Sequence, residues 1–428
     1  MRAGCVRWSI CGFLLAISTH AFITRMAMSV AAQRIQIQFG LSNLEVGWIL
    51  SSFILGYGVV QLPAGVLTDR VGPHRLLALT LGGWSAFHFL TGMAGWMAWL
   101  AQSSITAPLM AIRFVMGIAQ AAVLPCAIKT VSRWMPLDER ATANGSVMMG
   151  LGIGGAVTPP LMVALMSRYD WQFPFYLLGC IGIVLALGWR WYGRDSPEEH
   201  QSVGAAELAR IGRRAAAESR PSTPWRALFT SRSVWCLALS YGMAGYASYV
   251  FFTWFFLYVV NVRKVDIRSG GYWATLPSIA IAVMTPLGGR LSDRLTAKYG
   301  KRRGRLTVVL LGATAASLLI LIGARVADAR MAVVLLALGA GCHLAAQTPS
   351  WAASIDLAPS HSATLFGIMN TLAQFTGAAA PVVTPAIAAR FGWVRALDFA
   401  AAMAALVGVL WIFVQPEKPV SRQPLKRE

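Results

Sequence analysis

Two arginines lie within long apolar segments, where a charged side chain needs polar surroundings. An arginine near the centre of a membrane-spanning helix costs on the order of 2.5–3.5 kcal/mol, so it usually faces a polar cavity. Arg25 lies in the apolar segment 8–33 and Arg113 in the segment 104–132. At about 1.5 Å of rise per residue, alternate helices that run in opposite directions bring both to nearly the same depth. Two guanidinium groups at one depth predict a site for an anion, above all a carboxylate bound bidentately.

An alternative is that either long side chain snorkels to the nearer membrane surface. The acidic residues favour the anion site, because all 17 fall in loops or near the ends of apolar segments, with Asp356 and Asp398 closest to membrane depth. The site is therefore expected to be positively charged before an anion binds. The titratable histidines at depth are His20, His88 and His343. A lone histidine in a helix bundle is more often a hydrogen-bonded packing residue than a proton carrier.

The segments that hold these residues belong to a very apolar chain of 428 residues, 56% of them hydrophobic and 13% charged. A soluble domain cannot bury that much apolar surface, so the surplus must face lipid. Segments of about 20 apolar residues can cross a ~30 Å hydrocarbon layer. We place twelve such spans at 8–33, 44–66, 76–100, 104–132, 140–167, 171–192, 233–260, 271–291, 306–326, 331–355, 362–388 and 392–414.

Other sequence features exclude several classes of protein. The net charge of +20 is spread over loops between apolar segments, which argues against nucleic-acid binding. The six cysteines show no C-x-x-C spacing and predict neither a disulfide framework nor a metal site. The glycine-rich stretch 150–155 lies inside an apolar segment without a preceding strand, so it favours close helix packing over dinucleotide binding. We predict no enzyme activity, no cofactor and no metal.

Charge in the loops predicts the orientation, because basic loops stay on the cytoplasmic side. Most of the 37 lysines and arginines fall on one set of alternating loops, and this set includes both termini. We therefore expect an even number of spans with the N- and C-termini in the cytoplasm.

A short loop motif occurs twice in the chain. Gly65-Val-Leu-Thr-Asp69-Arg70 returns as Gly289-Arg-Leu-Ser-Asp293-Arg294, 224 positions later. A duplicated loop in an apolar chain indicates two homologous membrane halves, as in many secondary transporters.

The repeat predicts an all-α membrane protein with two pseudo-symmetric six-helix halves. We expect the first bundle at 1–193, a cytoplasmic linker at 194–231, the second bundle at 232–416 and a cytoplasmic tail at 417–428. The same shift of 224 positions takes Arg25 to Tyr249, so the anion site lies mainly in the first half. Tyr249 belongs to an aromatic series with Tyr241, Tyr246 and Trp254, which could line a cavity or pack against neighbouring helices.

The duplicated Gly-x-x-x-Asp-Arg loop resembles the signature of the major facilitator superfamily. Further stretches resemble its anion:cation symporter family, which carries sugar acids, aromatic acids and other organic anions. These stretches are Thr24-Arg25-Met-Ala-Met-Ser29-Val-Ala, Tyr57-x-x-x-Gln61-Leu-Pro63-Ala-Gly65, Arg113-Phe-x-x-Gly117-x-x-Gln120-Ala-x-x-x-Pro125, Trp134-x-Pro136-x-x-Glu139-Arg140 and Phe366-Gly367-x-x-Asn370-Thr371.

The resemblance implies a major facilitator fold and alternating access by rocking of the two halves around one substrate site. It implies that Arg25 and Arg113 bind the substrate carboxylate, with further contacts from Tyr57, Trp351 and Asn370; we add Tyr249 to these. It also implies a cytoplasmic gate, whose residues would be Gly65, Asp69, Arg70, Arg75, Asp293 and Arg294.

Two positions depart from the proton-coupled members of that family. Such members often have Asp directly before the first-helix arginine and Glu in the fourth helix, where this chain has Thr24 and Gln120. Coupling could instead use a histidine, with His343 and His20 as candidates, or another cation, or anion exchange, or be absent.

Together these features predict a monomeric secondary transporter of a small organic anion in the bacterial inner membrane. A sugar acid, an aromatic acid and a dicarboxylate all present the required carboxylate. One alternative is an efflux carrier for amphipathic or drug-like compounds, although two buried arginines suit cationic drugs poorly. Another is a membrane receptor or scaffold that retains the fold without transport.

Overall fold

The structure is a computed structural model, and it describes residues 6–100, 102, 104–136, 139–211 and 225–420. Six of these residues are described by their backbone alone, among them Asp69 of the predicted gate. Part of the predicted linker, 212–224, and most of the predicted tail, 421–428, lie outside the described residues.

The described residues form helices and connecting turns, without a β-strand. They divide into two compact units. The first unit holds the described residues up to Ile211 together with 256–261 and 265–275. The second unit holds 225–255, 262–264 and 276–420. The predicted domain boundaries remain a prediction.

The helices of the first unit follow the apolar segments of the N-terminal part of the sequence. They are α1 (Val6–Phe39), α2 (Asn43–Val71), α3 (Pro73–Gly92), α4 (Ala94–Leu100), α5 (Thr106–Gln120), α6 (Val123–Trp134), α7 (Arg140–Arg168), α8 (Gln172–Tyr192), α9 (Ala205–Ile211) and α12 (Ile267–Trp273). Local signals explain several ends. At the start of α2, for example, the Ser42 hydroxyl accepts from the Glu45 amide at 3.2 Å, and the Glu45 carboxylate accepts from the Ser42 amide at 2.8 Å. This reciprocal pair is a capping box.

The second unit is built in the same way. Its helices are α10 (Trp225–Thr230), α11 (Arg232–Leu257), α13 (Leu276–Tyr299), α14 (Lys301–Arg325), α15 (Ala329–Leu357), α16 (Ser362–Phe391) and α17 (Trp393–Trp411). The end of α11 continues into a π-helical turn at Tyr258–Val262. At the start of α15, the Asp328 carboxylate accepts from the Met331 amide at 2.7 Å.

The repeated motif, predicted as a loop, is helical in both copies: 65–70 lie at the C-terminal end of α2 and 289–294 lie in the C-terminal part of α13, and a glycine of positive φ follows each helix. Gly72 follows α2 with φ +92°, and Gly300 follows α13 with φ +83°. A positive φ is readily adopted by glycine and disfavoured for residues with a Cβ atom. In each copy the next helix begins at the following residue, Pro73 in the first and Lys301 in the second. The internal duplication seen in the sequence is therefore also visible in the backbone.

Ten helical stretches among the described residues are long and apolar enough to cross a membrane. The pair α3 and α4, bent by 63° at Met93, could make an eleventh. The prediction of twelve spans exceeds this number by one. The predicted span 271–291 meets α12 and α13, and α13 carries Arg290, Asp293 and Arg294 in its C-terminal half. Length and apolarity alone therefore do not make α13 a span.

Candidate anion-binding site

Close packing of α2 against α5 forms one wall of the site. A Cβ atom on Gly117 of α5 would collide with the carbonyl oxygen of Phe53, and one on Gly56 of α2 would collide with that of Phe114. Glycine at both positions lets the two helix backbones approach each other directly. This approach brings Phe53 and Tyr57 of α2 beside Arg113, which lies one turn before Gly117.

Arg113 is a fully buried cation, with only 1% of its surface exposed. Its two terminal nitrogens donate to backbone carbonyls of α1, to Thr24 at 3.5 Å and to Arg25 at 3.2 Å. Its guanidinium carbon lies 4.7 Å from the centre of the Phe53 ring. The Nε atom has no hydrogen-bond partner among the described residues. The side chain is therefore held by neutral groups and retains donor capacity.

Arg25 of α1 meets the same aromatic wall. Its guanidinium carbon lies 5.3 Å from the centre of the Phe53 ring and 5.0 Å from that of Tyr57. Both contacts have the geometry of cation–π interactions. Arg25 is also close enough to Arg113 to repel it electrostatically. The two arginines predicted to share one depth thus converge on one ring, and Tyr57 lies beside them.

Thr24 and Gln120 lie next to the arginines and contact each other. The Gln120 amide donates to the Ala21 carbonyl at 3.0 Å and to the Thr24 hydroxyl at 3.3 Å. The Thr24 hydroxyl in turn donates to the His20 carbonyl at 3.0 Å. Thr24 and Gln120, at which the sequence resemblance implied that coupling acids are missing, therefore form a neutral hydrogen-bonded pair.

The three deep histidines have different surroundings. His343 of α15 places its Nε2 atom 3.0 Å from the Ala244 carbonyl and 3.2 Å from the Gln347 amide nitrogen. His20 of α1 and His88 of α3 are buried in the first unit, where His20 Nε2 and both ring nitrogens of His88 have no partner among the described residues. His343 matches a hydrogen-bonded packing residue better than the other two do.

The predicted substrate contacts of the second unit form neutral pairs within that unit. The Tyr249 hydroxyl donates to Gln374 at 2.6 Å, and the Trp351 indole donates to the Tyr241 hydroxyl at 3.1 Å. Trp351 is 40% exposed, whereas Asn370 of α16 is half-buried. The other aromatic residues of α11 pack within the unit as well, with Tyr246 bonded to Thr384 and Trp254 to the Pro381 carbonyl.

The predicted gate residues lie in or next to the two copies of the repeated motif. Gly65 is half-buried in α2, and a Cβ atom there would meet nothing within 4 Å. Four further residues, all charged, are exposed: Arg70, Arg75, Asp293 and Arg294. In each unit these residues lie near the ends of helices, α2 and α3 in the first and α13 in the second.

Two ion-pair networks at helix ends were not predicted. In the first unit, Arg7 binds Glu139 at 2.9 Å and Glu207 at 3.3 Å. Its hydrogen bond to Glu139 lowers the pKa of that carboxyl group. Glu207 belongs to α9, so the predicted linker contains a helix that docks on the first unit. The sequence signal that could have indicated this network is the Glu139-Arg140 pair in the stretch that begins at Trp134.

The second unit carries a network of its own. Asp356 binds Arg305 through one carboxylate oxygen and Lys301 through the other, the latter at 2.9 Å. Asp293 of the repeated motif acts electrostatically on Arg305. One predicted gate residue is thus linked to a buried arginine that the sequence did not single out.

A comparison with known families assigns the chain. The family model of the Major Facilitator Superfamily matches residues 13–381, and it matches 298–428 as well. The chain belongs to the Major Facilitator Superfamily. Its membership confirms the predicted fold class and makes it a multi-pass membrane transporter, not an enzyme.

Several curated relatives of this superfamily member are named as organic anion transporters. A protein of Cupriavidus necator named probable sulfoacetate transporter SauU is 31% identical over 381 residues, which cover 88% of this chain and 86% of that one. A probable L-galactonate transporter of Escherichia coli is 29% identical, covering 85% of this chain and 79% of its own. A probable galactarate/D-glucarate transporter GudP of Bacillus subtilis is 28% identical, covering 99% and 94%. These relatives show that this superfamily member is of the anion:cation symporter type.

Solved structures support the fold. A bacterial homologue of the human lysosomal transporter Spinster, in its inward-facing and occupied conformation, matches 96% of this chain and 97% of its own with a TM-score of 0.76 and 18% identity. The unoccupied conformation of such a homologue matches with a TM-score of 0.71 and 19% identity. At this identity the likeness shows the fold alone.

Proposed function

We propose that the protein carries a small carboxylate across the bacterial inner membrane and binds that carboxylate with Arg25 and Arg113. The observation that carries the proposal is the position of the two guanidinium groups against the ring of Phe53, at 5.3 and 4.7 Å from its centre. Two neighbouring cations repel each other, and an anion bound to both would neutralise the repulsion. The fork geometry of arginine suits a carboxylate better than a point charge does.

The relatives suggest which carboxylates to try. Sulfoacetate, L-galactonate and D-glucarate, taken from the names of three relatives, all carry a carboxylate, and the latter two also carry hydroxyl groups. Tyr57 beside Arg25 is the proposed contact to the substrate in the first unit. Tyr249, Trp351 and Asn370 are the proposed contacts from the second unit, where a hydroxyl, an indole and an amide could bind substrate oxygens.

Counterflow in proteoliposomes tests the proposal. Vesicles loaded with sulfoacetate, L-galactonate or D-glucarate are assayed for uptake of the same labelled compound. A hydrogen bond to a charged group contributes about 1.5–3 kcal/mol, so Arg25→Ala and Arg113→Ala should each slow counterflow by roughly tenfold to a hundredfold. Arg25→Lys and Arg113→Lys should also be impaired, because lysine lacks the fork.

The matched control is Arg330→Ala, since Arg330 is exposed at the start of α15. If counterflow were unchanged in both alanine variants, the proposal that Arg25 and Arg113 bind the carboxylate would be wrong. Binding without counterflow in the wild type would favour the receptor or scaffold alternative. Counterflow of amphipathic cations in place of these acids would favour the efflux alternative.

A further inference from the structure

A buried polar cluster lies in the first unit beside the arginines and is not among the proposed carboxylate contacts. It consists of His20 of α1 with Trp84, Ser85 and His88 of α3. His20 is 4% exposed, and the other three side chains are 0% exposed. Five polar atoms of this cluster have no hydrogen-bond partner among the described residues: His20 Nε2, Trp84 Nε1, Ser85 Oγ and both ring nitrogens of His88. A group of unsatisfied buried atoms needs a physical explanation, because each costs about 1–3 kcal/mol.

One glycine of α8 shows that α1 and α3 present their polar atoms to a common point. A Cβ atom on Gly182 would collide with both Ser85 Oγ and His20 Nε2. The ring of His20 also stacks on that of Trp84, with centroids 6.3 Å apart. His88 follows Trp84 and Ser85 by one helical turn, which puts it on the same face of α3. The four side chains therefore form one cluster.

The cluster is connected to the arginine site through α1. His20 precedes Thr24 by one turn, and the Thr24 hydroxyl donates to the His20 carbonyl at 3.0 Å. The Thr24 carbonyl in turn accepts from Arg113 at 3.5 Å. Only one helical turn therefore separates His20 from the guanidinium groups.

Among the described residues, the groups that act electrostatically on His88 are cationic or titrate to a cation. The groups that act on it electrostatically are His20 of α1 and Arg113 of α5, and Arg113 is itself next to Arg25. Toward α8, His88 meets the ring of Phe175 with centroids 5.0 Å apart. Gly182, the α8 residue beside Ser85 and His20, has no side chain to titrate. From the sequence we expect no carboxylate at this depth, because all 17 acidic residues fall in loops or near the ends of the apolar segments. Adding a proton to the pair is therefore opposed by the arginines, and an anion bound to the arginines would remove that opposition.

We propose that His20 and His88 form the proton-binding site of this carrier, and that the proton and the substrate anion bind cooperatively. The proposal rests on the proposed carboxylate site. When the anion binds, one proton passes from water to an imidazole nitrogen of the pair; when the anion leaves, that proton returns to water. By linkage, the proton tightens anion binding by the same factor by which the anion tightens proton binding. A cationic imidazole thus replaces the acids that are absent at Thr24 and Gln120.

The first experiment measures proton uptake on ligand binding. Purified protein is titrated calorimetrically with sulfoacetate, L-galactonate or D-glucarate in buffers that differ in ionisation enthalpy. The wild type should take up protons on binding, and affinity should rise as the pH falls. The double variant His20→Gln/His88→Gln should bind with less proton uptake and a flatter pH profile. His343→Gln should retain the wild-type uptake, and uptake lost only in this variant would overturn the proposal.

The second experiment needs no ligand and so separates this proposal from the carboxylate site. Histidine ring nitrogens are labelled with ¹⁵N and titrated by NMR, with His20 and His88 assigned by their loss in the single glutamine variants. Removing one neighbouring charge in Arg113→Gln mimics the bound anion. The titration of the pair should move to higher pH by about one unit or more. Titration that is the same in Arg113→Gln and the wild type would overturn the coupling even if carboxylates bind.

Discussion

The two units treat buried polar side chains differently. In the second unit, several neutral groups bond to each other, although His343 Nδ1 has no partner among the described residues: Tyr249 donates to Gln374 at 2.6 Å and Gln347 donates to Ser248 at 3.2 Å. In the first unit, Arg113 Nε and His20 Nε2 have no partner among the described residues. Neutral hydrogen-bonded pairs stabilise a bundle by themselves, whereas charged groups with unused donor capacity are what an anion site requires. Both units bury an arginine, but Arg305 of the second unit is paired with the carboxylate of Asp356, whereas Arg113 of the first unit is held by neutral groups.

The largest expected effect on stability comes from introducing an arginine into the second unit at the position equivalent to Arg25. Tyr249 is the position to which the repeat takes Arg25, and the Tyr249 ring is packed directly against Gly377. An arginine there would be buried without a carboxylate and should cost on the order of 2.5–3.5 kcal/mol. We expect Tyr249→Arg to lower the thermal unfolding temperature and the yield of folded protein in detergent.

Tyr249→Phe serves as its control, because it removes only a hydrogen bond worth about 1 kcal/mol. If Tyr249→Arg were as stable as Tyr249→Phe, the second unit would tolerate a buried cation that has no carboxylate partner, and the contrast between the units would have no energetic basis.

The next largest effect is expected from a substitution that disturbs the packing of α2 against α5 in the first unit. A methyl group on Gly117 would collide with the Phe53 carbonyl, so Gly117→Ala should separate α2 from α5 and cost about 2 kcal/mol as an overpacking substitution. The loss should appear both in thermal stability and in carboxylate affinity, because Phe53 contacts both arginines. Gly12→Ala on α1 is the matched variant, since a Cβ atom there meets nothing within 4 Å. Equal behaviour of the two variants would show that close α2–α5 contact is not required.

The smallest effect concerns the ion pairs of the first unit. Arg7 lowers the pKa of Glu139 through a hydrogen bond, so the stabilisation is present above the unfolded pKa of Glu139 and is lost as the pH falls through its folded pKa. Glu139→Gln should therefore lower thermal stability at pH 7.5 by less than about 1 kcal/mol and have little effect near pH 3.

The control for that variant is Glu198→Gln, which changes an exposed residue of the predicted cytoplasmic linker. A loss of stability for Glu139→Gln that is the same at both pH values would indicate that packing, and not the charge pair, is responsible.

The sequence predicts the depth of functional residues better than their lateral neighbours. Helical rise alone puts Arg25 and Arg113 at one level, and the structure brings both to Phe53. Which helices touch depends on small residues such as Gly56 and Gly117, whose role emerges only once the helices are paired. The duplicated motif is helical and not a loop, and what the two copies share is the glycine of positive φ that follows each helix.

The histidine cluster shows why the remaining features could not be predicted. His20 and His88 look like isolated histidines in the sequence, and only the approach of α3 to α8 at Gly182 brings the polar atoms of α1 and α3 together. The docking of α9 likewise depends on Glu207 meeting Arg7, 200 residues away. Long-range contacts of this kind leave no periodic signal in a single chain.

The most direct test of the account is the dissociation constant of a carboxylate in three forms of the protein. Whichever of sulfoacetate, L-galactonate and D-glucarate binds the wild type is titrated into Arg113→Gln and Tyr249→Phe under the same conditions. We predict that Arg113→Gln weakens binding by at least about tenfold, and Tyr249→Phe by no more than about fivefold, since charged hydrogen bonds exceed neutral ones. A larger loss in Tyr249→Phe than in Arg113→Gln would place the anion in the second unit and contradict the account.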